Sequence, residues 1–377
     1  MALYLTFCLA LVSGIVTQAS RMALSLYALQ LGAQPATIGI LAAAFSAFPL
    51  MLSVAAGKLA DRYGARRPLI FGSVGTAGAL LVPYFIHSIP AVYGAALLSG
   101  LAFAVYMVAQ QNLIGLLSTP ENRAQCYGTY SVMVSASNFL GPLFAGFSID
   151  NFGHVPTFLY VALLSVLPAL LLLIWGGVLP GGVKHAARGG RVRDTLAEPG
   201  VLSLLATSSL VQATLDMFGF YMPVYLHGLG FSASRIGVVL SMAAVSAVIV
   251  RLVMSRLMKR FRSEQLLVGS VLLVALTFVA VPLCKSIALL ALLGFTFGLG
   301  FGCCQPIMMM MMFSRSSKGR SGEAMGVRLT VNHLTRVVAP MVFGFIASGL
   351  GLAAIFWISA GLLGAGAALS KPSAGRS

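Results

Sequence analysis

Polar residues in this chain come in short bursts that separate long apolar runs. Residues 36–56 and 68–86 carry no charged side chain, and only about ten residues part them. Each run is long enough to cross a bilayer as a helix, which takes about 20 apolar residues. Read this way throughout, the chain is expected to form twelve spans, near 2–30, 36–57, 68–86, 90–117, 125–149, 155–178, 199–226, 233–257, 264–283, 286–313, 323–348 and 351–370. The runs lack the in-out alternation of barrel strands, so the spans are expected to be helices.

Composition says the same. Hydrophobic residues make up 59% of the chain and charged residues 8%, with mean hydropathy +0.95. A soluble domain carries roughly 25% charged residues. Cys8, Cys126, Cys284, Cys303 and Cys304 show no metal spacing, and packing is their default role.

A net charge of +16 would suit nucleic acid, but its placement argues against that partner. Of the 24 Lys and Arg, eighteen fall in the tails or in connections on one side of the twelve-span arrangement. Only Arg235 and Lys285 fall on the other side; Arg21, Arg251, Arg328 and Arg336 lie within spans. Short basic loops stay in the cytoplasm. The expected location is therefore a bacterial-type inner (plasma) membrane, multi-pass, with both termini cytoplasmic. Leu3–Val16 followed by Thr17-Gln18-Ala19-Ser20 also resembles a secretory leader. No basic residue precedes it, however, and the segment runs on into a repeat, so it is read as a retained span.

The repeat holds a constant offset of 198 residues. Tyr27, Leu31 and Gly32 match Tyr225, Leu229 and Gly230, and Ile38-Gly39 matches Ile236-Gly237. Gly100-Leu101 matches Gly298-Leu299, Pro142 matches Pro340, and Gly146-Phe147 matches Gly344-Phe345. Such a duplication implies two six-helix halves, 1–178 and 199–377, with a basic, Gly-rich cytoplasmic linker at 179–198. In parallel-repeat transporters the solute site lies between the halves near the bilayer midplane.

The second connection reads Gly57-Lys58-Leu59-Ala60-Asp61-Arg62-Tyr63-Gly64-Ala65-Arg66-Arg67. It resembles the G-x-L-a-D-R-x-G-r-R signature between the second and third spans of major facilitator superfamily (MFS) transporters. The resemblance implies an all-α membrane protein with the MFS fold, twelve transmembrane helices in two pseudo-symmetric halves. It further implies a cytoplasmic gate built by Gly57, Asp61, Arg62 and Gly64. A carboxylate beside a helix N-terminus gains from the dipole, and the start of the eleventh span near Gly322 and the Glu121/Arg123 pair are the expected neighbours. Lys58, Arg66 and Arg67 are read as topology signals rather than gate residues. In the second half Lys259 replaces Asp61 and Arg262 replaces Gly64. The fifth span, with Gly141-Pro142, loosely resembles the Gly-Pro motif of exporters in this family, although small residues also simply let helices approach.

Polar side chains inside spans are costly in hydrocarbon and are candidates for function. Gln18 and Arg21 lie in the first span, Gln212 and Asp216 four apart in the seventh, and Asn332 and Arg336 in the eleventh. The resemblance places these three spans on the central cavity, making the six residues candidate solute ligands. Asp216 and His333 are the candidates for proton coupling. Arg328 shares the stripe of Asn332 and Arg336. Against this, Arg21 or Arg328 could reach an interface, and Arg336 could belong to a structural ion pair. Arg251, towards the cytoplasmic end of its span, reads as structural, and Gln110 and Gln305 could bind solute or make helix–helix hydrogen bonds.

No enzyme signature, phosphate-binding Gly loop or zinc motif is present, so neither catalysis nor a cofactor is expected. The expected function is a monomeric secondary transporter of a small organic solute by alternating access. Arginine forks suit carboxylate and phosphate, which leans the solute towards an anion or zwitterion, coupled to protons and with a lean to export. The alternatives are a multidrug/proton antiporter for lipophilic cations and, more distantly, a receptor or scramblase on the same scaffold.

Overall fold

The computed structural model describes residues 2–63, 65–118, 123–179, 201–315 and 321–369. At some helix ends, residues 52–63, 123–124, 313–315 and 321–326 among them, the description covers the backbone alone. The described residues form twelve long helices: α1 Ala2–Gln30, α2 Pro35–Tyr63, α3 Arg66–Phe85, α4 Ile89–Leu117, α5 Arg123–Phe152, α6 His154–Trp175, α7 Val201–Gly228, α8 Ala233–Arg260, α9 Ser263–Ala280, α10 Ile287–Arg315, α11 Ser321–Leu350 and α12 Leu352–Leu369. Each expected span is one of these helices. The largest displacement is at α2, which runs to Tyr63 through most of the basic connection. Lys58, Leu59, Ala60 and Arg62 are all good helix formers, so charge alone does not stop the helix.

Among the described residues nine helices are long and apolar enough to span a membrane, and α2 and α12 contain shorter apolar stretches, Pro35–Met51 and Leu352–Ala367. The remaining helix, α7, carries Gln212 and Asp216. Large apolar side chains such as Phe71, Leu163, Leu173, Leu276 and Trp357 point outward. In water such a surface would aggregate; in a bilayer it is the lipid-facing perimeter.

The duplication is visible in backbone geometry. Gly32 and Gly230 both have φ +84°, and Gly153 and Gly351 have φ +86° and +85°. Both pairs are 198 apart. After α1, the Gly32 N–H donates to Leu29 O and the Ala33 N–H to Ala28 O. After α7 the Gly230 N–H donates to His227 O and the Phe231 N–H to Leu226 O, the same Schellman closure. A side chain at either glycine would strain this left-handed turn.

Two seams join the halves, α2 against α11 and α5 against α8. They are built alike. Gly39 admits the carbonyl of Pro340 on one seam, and Gly237 that of Pro142 on the other, where a Cβ would meet the oxygen at 2.5 Å. Gly344 similarly faces Pro35 O, and Gly146 faces Ala233 O. Within each half Gly100 sits on Phe45 O and Gly298 on Ala243 O. Close backbone approach through small residues is how membrane helices pack without a hydrophobic drive between them.

Side-chain bonds reinforce the seams. Ser241 on α8 donates to Phe139 O of α5 at 2.7 Å, and the Tyr221 hydroxyl on α7, which donates to Pro340 O at 2.6 Å inside the second half, also reaches Pro35 O of α2 at 3.5 Å. Inside the second half, the Phe218 and Phe297 rings stack with centroids 4.1 Å apart, and Phe278 continues the stack on Phe297 at 5.6 Å.

Candidate functional site

α1, α2, α7 and α11 bring four of the expected solute ligands together. On α7, residues 212 and 216 are one turn apart and share a face. The Gln212 Nε2 donates to Asp216 Oδ2 at 3.0 Å. The Arg336 Nε on α11 lies 3.9 Å from the same oxygen. Asp216 is 4% exposed. A carboxylate so buried needs partners, and here an amide from its own helix supplies the short bond while the guanidinium stands further off.

Arg21 on α1 completes the group. Its guanidinium carbon lies 5.6 Å from the Phe45 ring centroid and 5.5 Å from that of Phe220, on α2 and α7. The ring faces attract the cation without consuming its N–H donors. The Nε atoms of Arg21 and Arg336 are both buried with no hydrogen-bond acceptor, and so is Nδ1 of His333. Arg21 lies within electrostatic reach of both Arg336 and Asp216, and His333 within reach of Arg336. The cluster holds two guanidinium groups and one carboxylate, with donor capacity to spare.

The other two candidates are placed differently. Asn332 accepts from Ser208 at 3.1 Å, and that hydroxyl also receives the Arg328 Nε at 3.0 Å. Arg328 reaches on to Gln305 Oε1 at 2.7 Å. Asn332 therefore belongs to a buried network inside the second half, with α7, α10 and α11 as its walls. Gln18 is half-buried one turn before Arg21, at the point where Gly141 of α5 lets α1 come close. By the 198-residue offset Gln18 is the counterpart of Asp216. The duplicated position thus carries a neutral amide in one half and a carboxylate in the other.

Gly141 packs against Gln18 and Ile15 of α1, while the next carbonyl, Pro142 O, receives Gly237 of α8. The Gly-Pro pair therefore has a full packing role in the fold. The gating candidates cannot be placed in the same way. Gly57, Asp61, Arg62 and Arg123 are described by their backbone alone, in α2 and α5, and Gly64 and Glu121 lie outside the described residues, as does the 180–198 portion of the linker.

Two aromatic contributors escaped the sequence reading. Phe45 and Phe220 look like packing residues in any apolar span, and only the fold brings them to Arg21. Arg66 donates from Nε to Leu172 O at 3.1 Å and from Nη2 to Leu173 O at 3.2 Å, closing the end of α6. Arg251 on α8 donates to Ser135 Oγ at 2.7 Å and Ser131 Oγ at 3.4 Å on α5, so it bridges a seam.

A family model described as Major Facilitator Superfamily matches residues 6–340. Among curated proteins the chain is 24% identical over 353 residues to "Multidrug resistance protein MdtG" of Dickeya zeae (strain Ech586), covering 90% of this chain and 86% of that protein. It is 22% identical to "Uncharacterized MFS-type transporter YuxJ" of Bacillus subtilis (strain 168), with 83% and 82% covered. Among solved structures, the nucleoside transporter NupG, in a mutant form, superposes with TM-score 0.84 at 15% identity, covering 98% of this chain and 99% of that one. A bacterial homolog to the human lysosomal transporter Spinster, in an inward-facing and occupied conformation, gives TM-score 0.81 at 14% identity, with 98% and 95% covered. At these identities the structural likeness speaks for the fold.

Proposed function

The chain belongs to the major facilitator superfamily, and on that premise we propose that this membrane transporter carries a small organic anion or zwitterion by alternating access. The observation that supports the reading is the pair of buried arginine Nε groups, on Arg21 and Arg336, that have no hydrogen-bond acceptor, with one carboxylate, Asp216, 3.9 Å from the second. An incoming carboxylate or phosphate offers planar, charge-assisted acceptors to both. Arg21, Gln18, Gln212 and Arg336 are the proposed contacts of the anionic group, Asp216 is the proposed proton-carrying competitor among them, and Asn332 is proposed to support α11 beside them through Ser208.

Proton coupling follows from competition for Arg336. While Asp216 is ionised it holds part of the guanidinium; once protonated, it releases that donor to the solute. Proton and anion then bind together, and His333 beside Arg336 is the second candidate carrier. The basic loops are proposed to face the cytoplasm of a bacterial inner membrane, with both termini on that side.

A second reading, a proton antiporter exporting lipophilic cations, draws on the name of the MdtG relatives and on Gly141-Pro142. In that case Asp216 would be the cation site and the arginines structural.

The test is thermal unfolding of detergent-purified protein against matched panels of organic anions and lipophilic cations. A ligand of the native state raises the apparent melting temperature by mass action. Stabilisation by anions, lost in Arg336→Gln, supports the first reading. Stabilisation by cations alone, lost in Asp216→Asn, would replace it with the second.

A further inference from the structure

We infer that Asp150 is a positioning residue of the transport cycle, the carboxylate that holds the outer mouth between the halves closed. It stands at the last turn of α5, at the end of the bundle opposite the basic loops. Its Oδ1 accepts from the Ala233 N–H at 2.9 Å and its Oδ2 from the Ser234 N–H at 2.8 Å. Those are the first two residues of α8, in the other half.

The first N–H groups of any helix lack partners within it, and a residue just before the helix normally supplies one. Ser232 stands in that place before α8, yet its side chain makes no capping bond. The cap of α8 is supplied instead by α5, across the seam. Such a bond exists only while the two helix ends touch, so it reports and favours one arrangement of the halves.

The other seam has the same device in weaker form. Ser348, 198 residues beyond Asp150, accepts from the Ala36 N–H at 3.0 Å at the start of α2. The residue matching Ala233 on that side is Pro35, which has no N–H. One donor meets one hydroxyl there, while two donors meet two carboxylate oxygens at α8. The number of backbone donors matches the acceptor on each seam, and the charged acceptor meets the positive end of the α8 dipole. Asp150 is exposed to solvent, so water can take over its bonds when the seam parts, which keeps the latch reversible.

The inference rests on alternating access, and the experiment separates the two. Spin labels at His87→Cys and Lys285→Cys, exposed and matched by the repeat in the outer loops of opposite halves, report the opening of that mouth in liposomes. Cys8 and Cys284 are replaced in all samples. Two distance populations in the parent protein establish alternating access whatever the latch does.

In Asp150→Ala the open population is expected to rise about tenfold relative to the closed one, as loss of charge-assisted bonds implies. Asp150→Ser, which copies the chemistry of the other seam, is expected to fall between. Arg251→Ala cuts the same seam in its basic half and is expected not to open the outer mouth. Unchanged populations in Asp150→Ala, or equal opening in Arg251→Ala, would overturn the assignment.

Discussion

Arg336 approaches Asp216 to 3.9 Å, while Gln212 of the same helix as Asp216 bonds it at 3.0 Å. The buried carboxylate is therefore held chiefly by its neighbour on α7, and the guanidinium is engaged only at the outer limit of an ion pair. Breaking a tight buried pair strands a charge and is strongly unfavourable. A loose one can change partners, which is what a binding arginine must do in each cycle.

Asp216→Asn removes the internal competitor for Arg336 and keeps the shape. Anion affinity is expected to rise about three- to tenfold, the scale of one ordinary net hydrogen bond. Uphill accumulation driven by a proton gradient is expected to vanish, while exchange of solute down its own gradient persists. Solute binding by calorimetry and uptake into liposomes with and without an imposed pH gradient measure the two effects separately. Loss of all binding in this variant would assign the carboxylate, not the arginines, to the solute.

Arg336→Lys keeps the charge and loses the planar fork, so it distinguishes a point charge from a bidentate contact. Anion affinity is expected to fall at least about tenfold, with the melting temperature of the unliganded protein little changed, because the ion pair it weakens is already long. A large drop in unliganded stability would instead identify Arg336 as structural.

Phe45 and Phe220 hold the guanidinium of Arg21 between them from opposite halves of the protein. Phe220→Leu keeps an apolar side chain of similar reach and removes one ring face. Desolvated cation–π contacts contribute up to about 2 kcal/mol, so anion binding is expected to weaken by about threefold to thirtyfold without loss of folding. An unchanged affinity measured by calorimetry would mean that Arg21 is oriented by the backbone alone.

The architecture was legible because it rests on one-dimensional quantities. Apolar run length gave all twelve helices, and the 198-residue offset anticipated the matched turns at Gly32 and Gly230 and the matched approaches at Gly39 and Gly237. The buried polar cluster was legible only where a polar residue was conspicuous in an apolar span, as Arg21, Asp216 and Arg336 were. Phe45 and Phe220 were invisible because an aromatic in a membrane helix is ordinary until the fold puts a cation between two of them. Helical spacing puts Asn332 on the face of Arg336, but spacing is silent on Ser208, which ties Asn332 into a second network. Asp150, at the end of α5, has no mark of its own in the sequence. Its partners are backbone N–H groups, which every residue but proline has, so no sequence pattern marks them.

The seam glycines give the last prediction, and it follows from the duplication. At Gly237 an added Cβ would stand 2.5 Å from the carbonyl oxygen of Pro142, with its carbon at 3.1 Å, and at Gly39 it would fall on Pro340 in the same way. Both obstacles are backbone atoms of a neighbouring helix, which cannot rotate aside, so each seam would have to widen. Gly39→Ala and Gly237→Ala are each expected to destabilise by about 1–3 kcal/mol, the usual cost of overpacking. Gly94, inside α4 with nothing within 4 Å of its would-be Cβ, is the control. There Ala is expected to be neutral or to stabilise by up to about 1 kcal/mol through helix propensity. Thermal unfolding of the three variants in one detergent compares them directly. Because the two seams are copies of one contact, Gly39→Ala and Gly237→Ala should also lower solute exchange to a similar extent. A strong loss from one alone would mean that the halves have come to depend on a single seam for closure.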